Sequence, residues 1–176
     1  LVQAWEEAYA GARQEKHSDV AMVHHVHDIQ LPVRLVTKEE YENAKAKLTE
    51  FAATDARHNW SAKWHGGAID RYEQQLAGTV EPYKMELHAM RLGDVAIATN
   101  PFELFTDFGI QMKARSKALQ TFVVQLAGPG SYLPTQIAFE GGGYSAVVES
   151  SLVGPEGGQL LVEHTVALIN SLWPDS

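Results

Sequence analysis

Glu103 and two tyrosines, Tyr132 and Tyr144, are the residues of this 176-residue sequence whose types and positions best suit chemistry. Glu103 follows a β-rich run, Val95–Thr99, and an Asn-Pro pair, so it stands where a strand should end. The tyrosines flank a glycine-rich stretch, residues 128–144, which comes after a second β-rich run. In open α/β sheets, ligands bind beyond the carboxyl ends of the strands. We therefore expect a functional crevice where these residues lie.

Each of these residues also has an ordinary structural interpretation. A carboxylate in the first turn of a helix is stabilised by about 0.3–1 kcal/mol through the helix dipole, and the sequence alone favours that interpretation of Glu103. Either tyrosine could pack with its hydroxyl hydrogen-bonded. Residues 128–144 lack the glycine spacing and the Gly-Lys-Ser/Thr sequence of phosphate-binding loops. Ser131 and Ser145 lack the Gly-x-Ser-x-Gly context of a nucleophile elbow.

A group of histidines at positions 24, 25 and 27, followed by Asp28, is a second candidate site. On a strand, His25 and His27 point to the same face, and this spacing can chelate a metal ion. A zinc site also needs convergent ligands from other elements. Partly exposed surface histidines on a strand are therefore the favoured interpretation, and metal binding is the alternative.

The pattern of elements predicts one α/β unit with a mixed sheet layered with helices. Strands are predicted at residues 21–36, 84–92, 95–99 and 121–126, and helices at residues 2–14, 37–53 and 62–76 and from positions 102 and 155 onward. Thr37 and Glu40 have the spacing of a capping box. A helix between two buried strands predicts a right-handed βαβ unit, in which residues 121–126 run parallel to Val95–Thr99. Residues 84–92 should run antiparallel to Val95–Thr99 across Gly93-Asp94.

Composition narrows the classes of function. The chain is 45% hydrophobic and 20% charged, which is ordinary for one globular domain. Its formal charge of −8 argues against a nucleic-acid partner, because phosphate binding requires clustered Lys and Arg. The absence of cysteine excludes disulfides and thiolate metal sites. No stretch approaches the roughly 20 apolar residues of a transmembrane helix.

Four motifs in the second half of the chain resemble the neutral/alkaline, non-lysosomal ceramidase family, in particular its bacterial branch. They are LGDVAIATNPFELF, FVVQLAGPGSYLPT, FEGGGYSA and VGPEGGQLLVEHTVALIN. The resemblance extends from about position 28 to position 173. It implies that residues 1–176 are the C-terminal part of a larger α/β catalytic domain, truncated at the N-terminus. The implied activity is zinc-dependent hydrolysis of the amide bond of an N-acylsphingosine (ceramide) to a fatty acid and a sphingoid base.

The resemblance also implies roles for individual residues. The family holds Zn²⁺ with two histidines, a glutamate and a tyrosine, and the last two positions correspond to Glu103 and Tyr132. Ser131 stands where the family more often has glycine before that tyrosine. Tyr144 corresponds to a second tyrosine that lines the family's active site, and it could donate a hydrogen bond to the developing oxyanion. With the resemblance, the ligand interpretation of Glu103 becomes the favoured one.

The sequence departs from the family in one important respect. The family's histidine ligands include one in a His-x-His-Ser-Gly motif far upstream of the glutamate, and His25-Val26-His27 is followed by Asp28 and lies too close to Glu103. The family's candidate active-site serine also belongs upstream. We therefore expect about half of a zinc site and inactivity without the upstream half of the domain, with a full-length protein that is secreted or periplasmic. A non-catalytic relative that binds lipid or glycan, or a structural half-domain, remains an alternative.

The strand order gives a geometric expectation. If Glu103 and Tyr132 each leave the carboxyl end of neighbouring parallel strands, which lie about 4.8 Å apart, their oxygens should meet in one crevice. Two oxygens so placed could share one zinc ion at about 2.0–2.2 Å each.

Overall fold

The computed structural model describes residues 1–52 and 59–173, and it describes side chains outside residues 51–61. In chain order the elements are α1 (Val2–Ala12), β1 (Met22–Leu31), α2 (Lys38–Ala52), α3 (Asn59–Ala77), β2 (Tyr83–Leu92), β3 (Val95–Thr99), β4 (Glu103–Leu104), α4 (Thr106–Arg115), β5 (Gln120–Val124), β6 (Tyr132–Leu133), α5 (Gln136–Gly141) and α6 (Pro155–Asn170). Among the described residues, no helix is long and apolar enough to cross a membrane.

The main sheet has four strands in the order β1-β2-β3-β5. Strand β2 pairs antiparallel with both β1 and β3, and β3 pairs parallel with β5. Gly93 makes the tight turn between β2 and β3 with φ of +60°, which glycine adopts without strain. Helix α4 connects β3 to β5, so these three elements form the predicted βαβ unit. The mixed α/β fold class and the pairing of these strands are confirmed.

Helices α4 and α6 cover one face of this sheet. The core between the layers includes Leu87, Ala98, Phe102, Met112 and Leu161, all nearly inaccessible to solvent. Large apolar side chains on β1, β2 and β5 nevertheless remain exposed: Met22, Val26, Leu92, Phe122 and Val124. The strand registers place these five residues on one common face of the sheet, which they share with polar residues such as His24 and His88.

Helices α2 and α3 form a second layer with its own small core. Val36, Ala44, Ala68 and Val148 are buried there. Helix α2 begins with the predicted capping box, in which Thr37 N–H donates to Glu40 at 2.8 Å and Glu40 N–H donates to the Thr37 hydroxyl at 3.2 Å. The predicted end of this helix, at position 53, lies outside the described residues. Helix α3 continues through its two glycines without a break.

Three predicted boundaries are wrong, for identifiable reasons. The strand predicted over residues 21–36 ends at Leu31, because Pro32 has no N–H to continue the ladder. The helix predicted from position 102 begins at Thr106, because Glu103–Leu104 pairs instead with Tyr132–Leu133. The same pairing inserts a strand into the predicted loop of residues 128–144, and helix α5 occupies Gln136–Gly141. Long-range pairing overrides local periodicity at both places.

Candidate functional site

Glu103 and Tyr132 lie directly opposite each other on the short parallel strands β4 and β6. Glu103 N–H donates to the Ser131 carbonyl at 3.1 Å, and Phe105 N–H donates to the Leu133 carbonyl at 3.3 Å. The Glu103 carboxylate also interacts with the Tyr132 side chain, and this interaction is the main reason that the pKa of Tyr132 is raised. One carboxylate and one phenol therefore meet on the same side of the two strands.

The turn before Glu103 is fixed by a buried asparagine. Asn100 donates its N–H to the Val124 carbonyl at 2.9 Å, and its side-chain oxygen accepts from Phe102 N–H at 3.1 Å. The Asn100 carbonyl accepts in turn from Ala127 N–H at 2.9 Å. Because these bonds connect the end of β3 to the end of β5, they fix the path of the chain that leads to Glu103.

Gly130 lets the loop before Tyr132 approach this turn closely. A Cβ atom at Gly130 would lie 1.9 Å from the Pro101 carbonyl oxygen and 2.9 Å from the backbone nitrogen of Phe102. No side chain fits at that distance, and the obstacle is backbone rather than a movable side chain. The close approach of the two chain segments, which brings β6 beside β4, thus depends on glycine at this position.

Tyr144 adds a third side chain to the pair. Its ring meets the Tyr132 ring edge-on with centroids 5.8 Å apart, and its other neighbour is Trp64 of α3, stacked at 5.8 Å with 25° between the ring planes. Tyr144 is 64% exposed. Glu103, Tyr132, Tyr144 and Trp64 therefore form a continuous row, which begins at the carboxylate and ends at the indole.

A strap of chain, residues 144–151, carries Tyr144 and runs beside β6. The Ser150 carbonyl accepts from Tyr132 N–H at 3.0 Å, and just beyond the strap Leu152 N–H donates to the Ser131 hydroxyl at 3.0 Å. These two bonds attach the strap to the strand that carries Tyr132. The position of Tyr144 relative to Tyr132 thus follows from where the strap is held.

Two arginines from other elements hold the strap in place. Arg34 donates to the Ala146 carbonyl and to the Ser151 hydroxyl, each at 2.6 Å, and to Glu40 at 2.5 Å. Arg71 of α3 donates to the Ser151 carbonyl at 3.2 Å and also to the Val148 carbonyl. Burial lowers the pKa of both arginines, and for Arg71 the nearby charge of Arg34 adds to that effect.

A buried contact between a histidine and a glutamate connects the strap to the same helix. His65 Nδ1 lies 2.8 Å from a carboxylate oxygen of Glu149, and both side chains are largely shielded from solvent. The His65 ring also contacts Trp64 at 5.1 Å between centroids. Helix α3 therefore supplies the indole that stacks on Tyr144, and it supplies two of the polar side chains that fix the strap.

The histidines of β1 are placed apart from this row. His24 Nε2 lies 3.1 Å from His88 Nδ1 of β2, whereas His25 Nδ1 lies 3.4 Å from the Ser171 hydroxyl after α6. Within residues 1–52 and 59–173, no three His, Cys, Asp or Glu side chains are grouped closely enough to hold a metal ion. Glu103 thus belongs to no such group in the described part of the chain.

Four residues around the site escaped the sequence analysis as functional candidates: Arg34, Trp64, His65 and Arg71. Nothing in the sequence connects Trp64 of α3 with Tyr144, because 80 positions separate them. The burial of Arg34 and Arg71 would have been a signal. Burial of a particular arginine is not visible in a single sequence.

Neither a protein-family model nor a curated protein sequence matches the chain. Among solved structures it is similar to a ceramidase complexed with C2, with 19% identity and a TM-score of 0.42 over 53% of this chain and 16% of that one. It is also similar to the neutral ceramidase from Pseudomonas aeruginosa, with 20% identity and a TM-score of 0.42 over 54% of this chain and 17% of that one. The chain thus matches about a sixth of the length of each, and the likeness is one of fold.

Proposed function

We propose that this chain contributes part of the zinc site of a ceramidase-type amidohydrolase. The observation that carries the proposal is the pairing of Glu103 with Tyr132 at facing positions of two parallel strands, where the carboxylate raises the pKa of the phenol. The motifs around both residues resemble the ceramidase family independently of that geometry. Tyr144, in contact with Tyr132, extends the pair toward the place where a substrate would lie.

The donor chemistry fits one side of a zinc ion. Zinc in proteins accepts carboxylate oxygens at about 2.0–2.2 Å and usually takes four ligands, of which a catalytic site leaves one position open. Glu103 and Tyr132 would supply two of these ligands, because they occupy facing positions on neighbouring parallel strands. The remaining protein ligands, histidines by the resemblance, would come from outside the described residues.

The chain's own residues would bind and orient the substrate. A bound zinc ion with an open position supplies polarisation of an amide carbonyl and lowers the pKa of bound water toward about 7. Tyr144 presents an exposed phenol, which would donate a hydrogen bond to the carbonyl oxygen as negative charge develops there. The position of that phenol relative to the Glu103–Tyr132 pair would be fixed by the strap from which it projects. The strap is held by Arg34, Arg71 and His65.

The rest of the catalytic domain has a place to pack. One sheet face exposes Met22, Val26, Leu92, Phe122 and Val124, and a partner that covered this face would remove these apolar side chains from water. We propose that residues 1–176 form the C-terminal portion of a larger catalytic domain whose remaining part covers this face and completes the ligand set. The substrate of the whole enzyme would be a ceramide-like lipid amide.

Metal analysis combined with an amide hydrolysis assay tests the proposal. The protein expressed from its complete gene should retain about one zinc per chain and release fatty acid from an N-acylsphingosine. Glu103→Gln and Tyr132→Phe should each lower zinc affinity at least about 10–100-fold, the loss typical for disturbed zinc coordination. Tyr9→Phe in α1, where the ring contacts Trp5 and Arg13, is the matched control and should leave zinc binding intact.

The outcomes separate the parts of the proposal. Zinc retained at full affinity by both variants would remove the metal assignment, and Glu103 and Tyr132 would then be structural. Zinc lost in both variants, without any turnover of N-acylsphingosines by the native protein, would preserve the metal site and refute the substrate. Residues 1–176 expressed alone should bind zinc much more weakly than the complete protein, because two oxygen ligands hold it poorly.

A further inference from the structure

A cleft of about 550 Å³ opens beside the strap, between α3 and the chain that follows the strap. Lys63, Trp64, Gly67, Asp70, Arg71, Glu149 and Leu152 line it. Apolar atoms make up most of its lining, and its volume lies within the range of about 300–1,000 Å³ that small-molecule sites occupy. No residue of this cleft belongs to the Glu103–Tyr132 pair.

The cleft is continuous with the candidate site. Its Trp64 ring stacks on Tyr144, and the Tyr144 ring contacts Tyr132, with 5.8 Å between centroids at each step. Its Leu152 donates a backbone hydrogen bond at 3.0 Å to the hydroxyl of Ser131, the residue next to Tyr132. A molecule whose reacting group lies at Tyr132 and Tyr144 can therefore extend along the rings into the cleft.

Internal partners occupy the charged groups deep in the cleft. Glu149 is paired with His65 at 2.8 Å, and Arg71 donates to the carbonyls of Gly67 and Ser151, at 3.2 Å in both cases. The Arg71 guanidinium and the Glu149 carboxylate thus already have partners within the protein, and these contacts hold the strap. The rest of the lining consists of the charged side chains of Lys63 and Asp70, both exposed, and of an apolar part. The apolar part is the indole of Trp64, the side chain of Leu152 and the bare backbone at Gly67, and it suits a hydrocarbon.

We propose that this cleft binds a hydrocarbon chain of the amide substrate, adjacent to the Glu103–Tyr132 pair. The link to an amide rests on the proposed function, whereas binding of the hydrocarbon itself depends only on the cleft. The chain could be on the acyl side or on the amine side of the scissile bond, and both sources offer the same row of CH₂ groups. Each CH₂ buried in the cleft should strengthen binding about fourfold.

Two neighbouring glycines provide a matched pair of variants. Gly66 and Gly67 lie side by side in the middle of α3, and a Cβ at either position would meet no atom within 4 Å. Only Gly67 lines the cleft. Because leucine is a much better helix former than glycine, Gly66→Leu and Gly67→Leu should both fold at least as well as the native chain. Only Gly67→Leu places four additional carbons in the cleft.

Calorimetric binding of dodecanoate, dodecylamine and their six-carbon homologues, below micelle concentrations and without added zinc, tests the cleft directly. The native protein should bind at least one twelve-carbon probe far more tightly than its six-carbon homologue. Gly67→Leu should weaken that binding at least 10-fold, and Gly66→Leu should leave it unchanged. A preference for dodecanoate would place the acyl chain in the cleft, whereas a preference for dodecylamine would place the amine chain there. Equal binding by the two leucine variants, or no dependence on chain length, would overturn the proposal.

Hydrolysis of N-acylsphingosines with two-carbon and twelve-carbon acyl groups separates this proposal from the proposed function. If dodecyl probes bind in a Gly67-dependent manner but no amide is cleaved, the cleft stands and the amidase function falls. If amides are cleaved and Gly67→Leu has native kcat and KM for every chain length and native affinity for both dodecyl probes, the function stands and the cleft assignment falls.

Discussion

Glu103 and Tyr132 lie directly opposite each other on two parallel strands, and the carboxylate raises the pKa of the phenol, although a helix and a strand separate them in the chain. Two short parallel strands, β4 and β6, bring them together at the edge of the molecule where β3 and β5 also end. The predicted convergence of these two residues is present in the fold. Their role as zinc ligands stays a prediction until metal binding is measured.

Tyr144→Phe should reduce turnover while leaving zinc content unchanged. The ring contacts with Tyr132 and Trp64 persist in phenylalanine, so only the exposed hydroxyl is removed. Loss of one oxyanion donor lowers kcat by about 10²–10³. Steady-state kinetics on an N-acylsphingosine, together with metal analysis, measures both effects. A kcat within twofold of the native value would show that Tyr144 is not the donor.

Gly130→Ala should destabilise the fold and disturb the site. The new methyl group would overlap the Pro101 carbonyl, and overpacking of this kind costs about 1–3 kcal/mol or more. Denaturant unfolding followed by circular dichroism gives the change in free energy of unfolding. Gly141→Ala is the control, because its Cβ would meet open space at the end of α5. Equal stability of the two variants would contradict the close approach described here.

Arg34→Met should loosen the strap. Arg34 is the better buried member of its pair with Glu40, and removing it leaves the carboxylate and two strap acceptors without their donor. We expect a loss of about 3 kcal/mol in the free energy of unfolding, the lower end of the range for breaking a buried ion pair, since Glu40 is partly hydrated.

Lys84→Met is the control for that experiment, because the ion pair of Lys84 with Glu81 is exposed and such pairs contribute little. Proteolysis of the native fold adds a local measurement. Cleavage within residues 144–151 should become faster in Arg34→Met than in Lys84→Met. Native-like stability and native-like protection of the strap in Arg34→Met would refute its anchoring role.

Glu163→Gln should change how stability depends on pH. Two hydrogen bonds from Arg115, at 2.7 and 2.5 Å, join α4 to α6 and are the main cause that lowers the pKa of Glu163 from 4.5 to about 2. Because the pKa is depressed in the folded state, the stabilisation is fully present above pH 4.5 and disappears as the pH falls through about 2.

The measurement is the difference in thermal midpoint between the native protein and Glu163→Gln across that range of pH. The difference should be largest above pH 4.5 and approach zero near pH 2. Glu73→Gln removes an exposed carboxylate from α3 and corrects for the change in net charge. A difference between native protein and Glu163→Gln that stays constant with pH would exclude the ion pair as its source.

The sequence by itself determined the pairing of three of the four strands of the main sheet, and it located the helices that cover this sheet. Period-two and helical patterns, with Gly93 as the turn, were sufficient to predict that β2 pairs antiparallel and β5 parallel with β3. The capping box of Thr37 and Glu40 was also predicted correctly from the sequence, because its two partners are only three residues apart. Such features depend on interactions between near neighbours or on the burial of whole faces, and a single sequence records both.

Tertiary structure alone decided the surroundings of the site. A local reading placed Glu103 in a helix, and only the distant backbone of residues 131–133 turned it into a strand residue facing Tyr132. The stack of Trp64 on Tyr144, and the hold of Arg34 and Arg71 on the strap, connect elements that are far apart in the chain. These contacts form only after the helices α2 and α3, the strap and the sheet have packed together, because packing brings their partners within reach of each other. No local pattern of residues encodes them, because each partner alone resembles an ordinary surface residue.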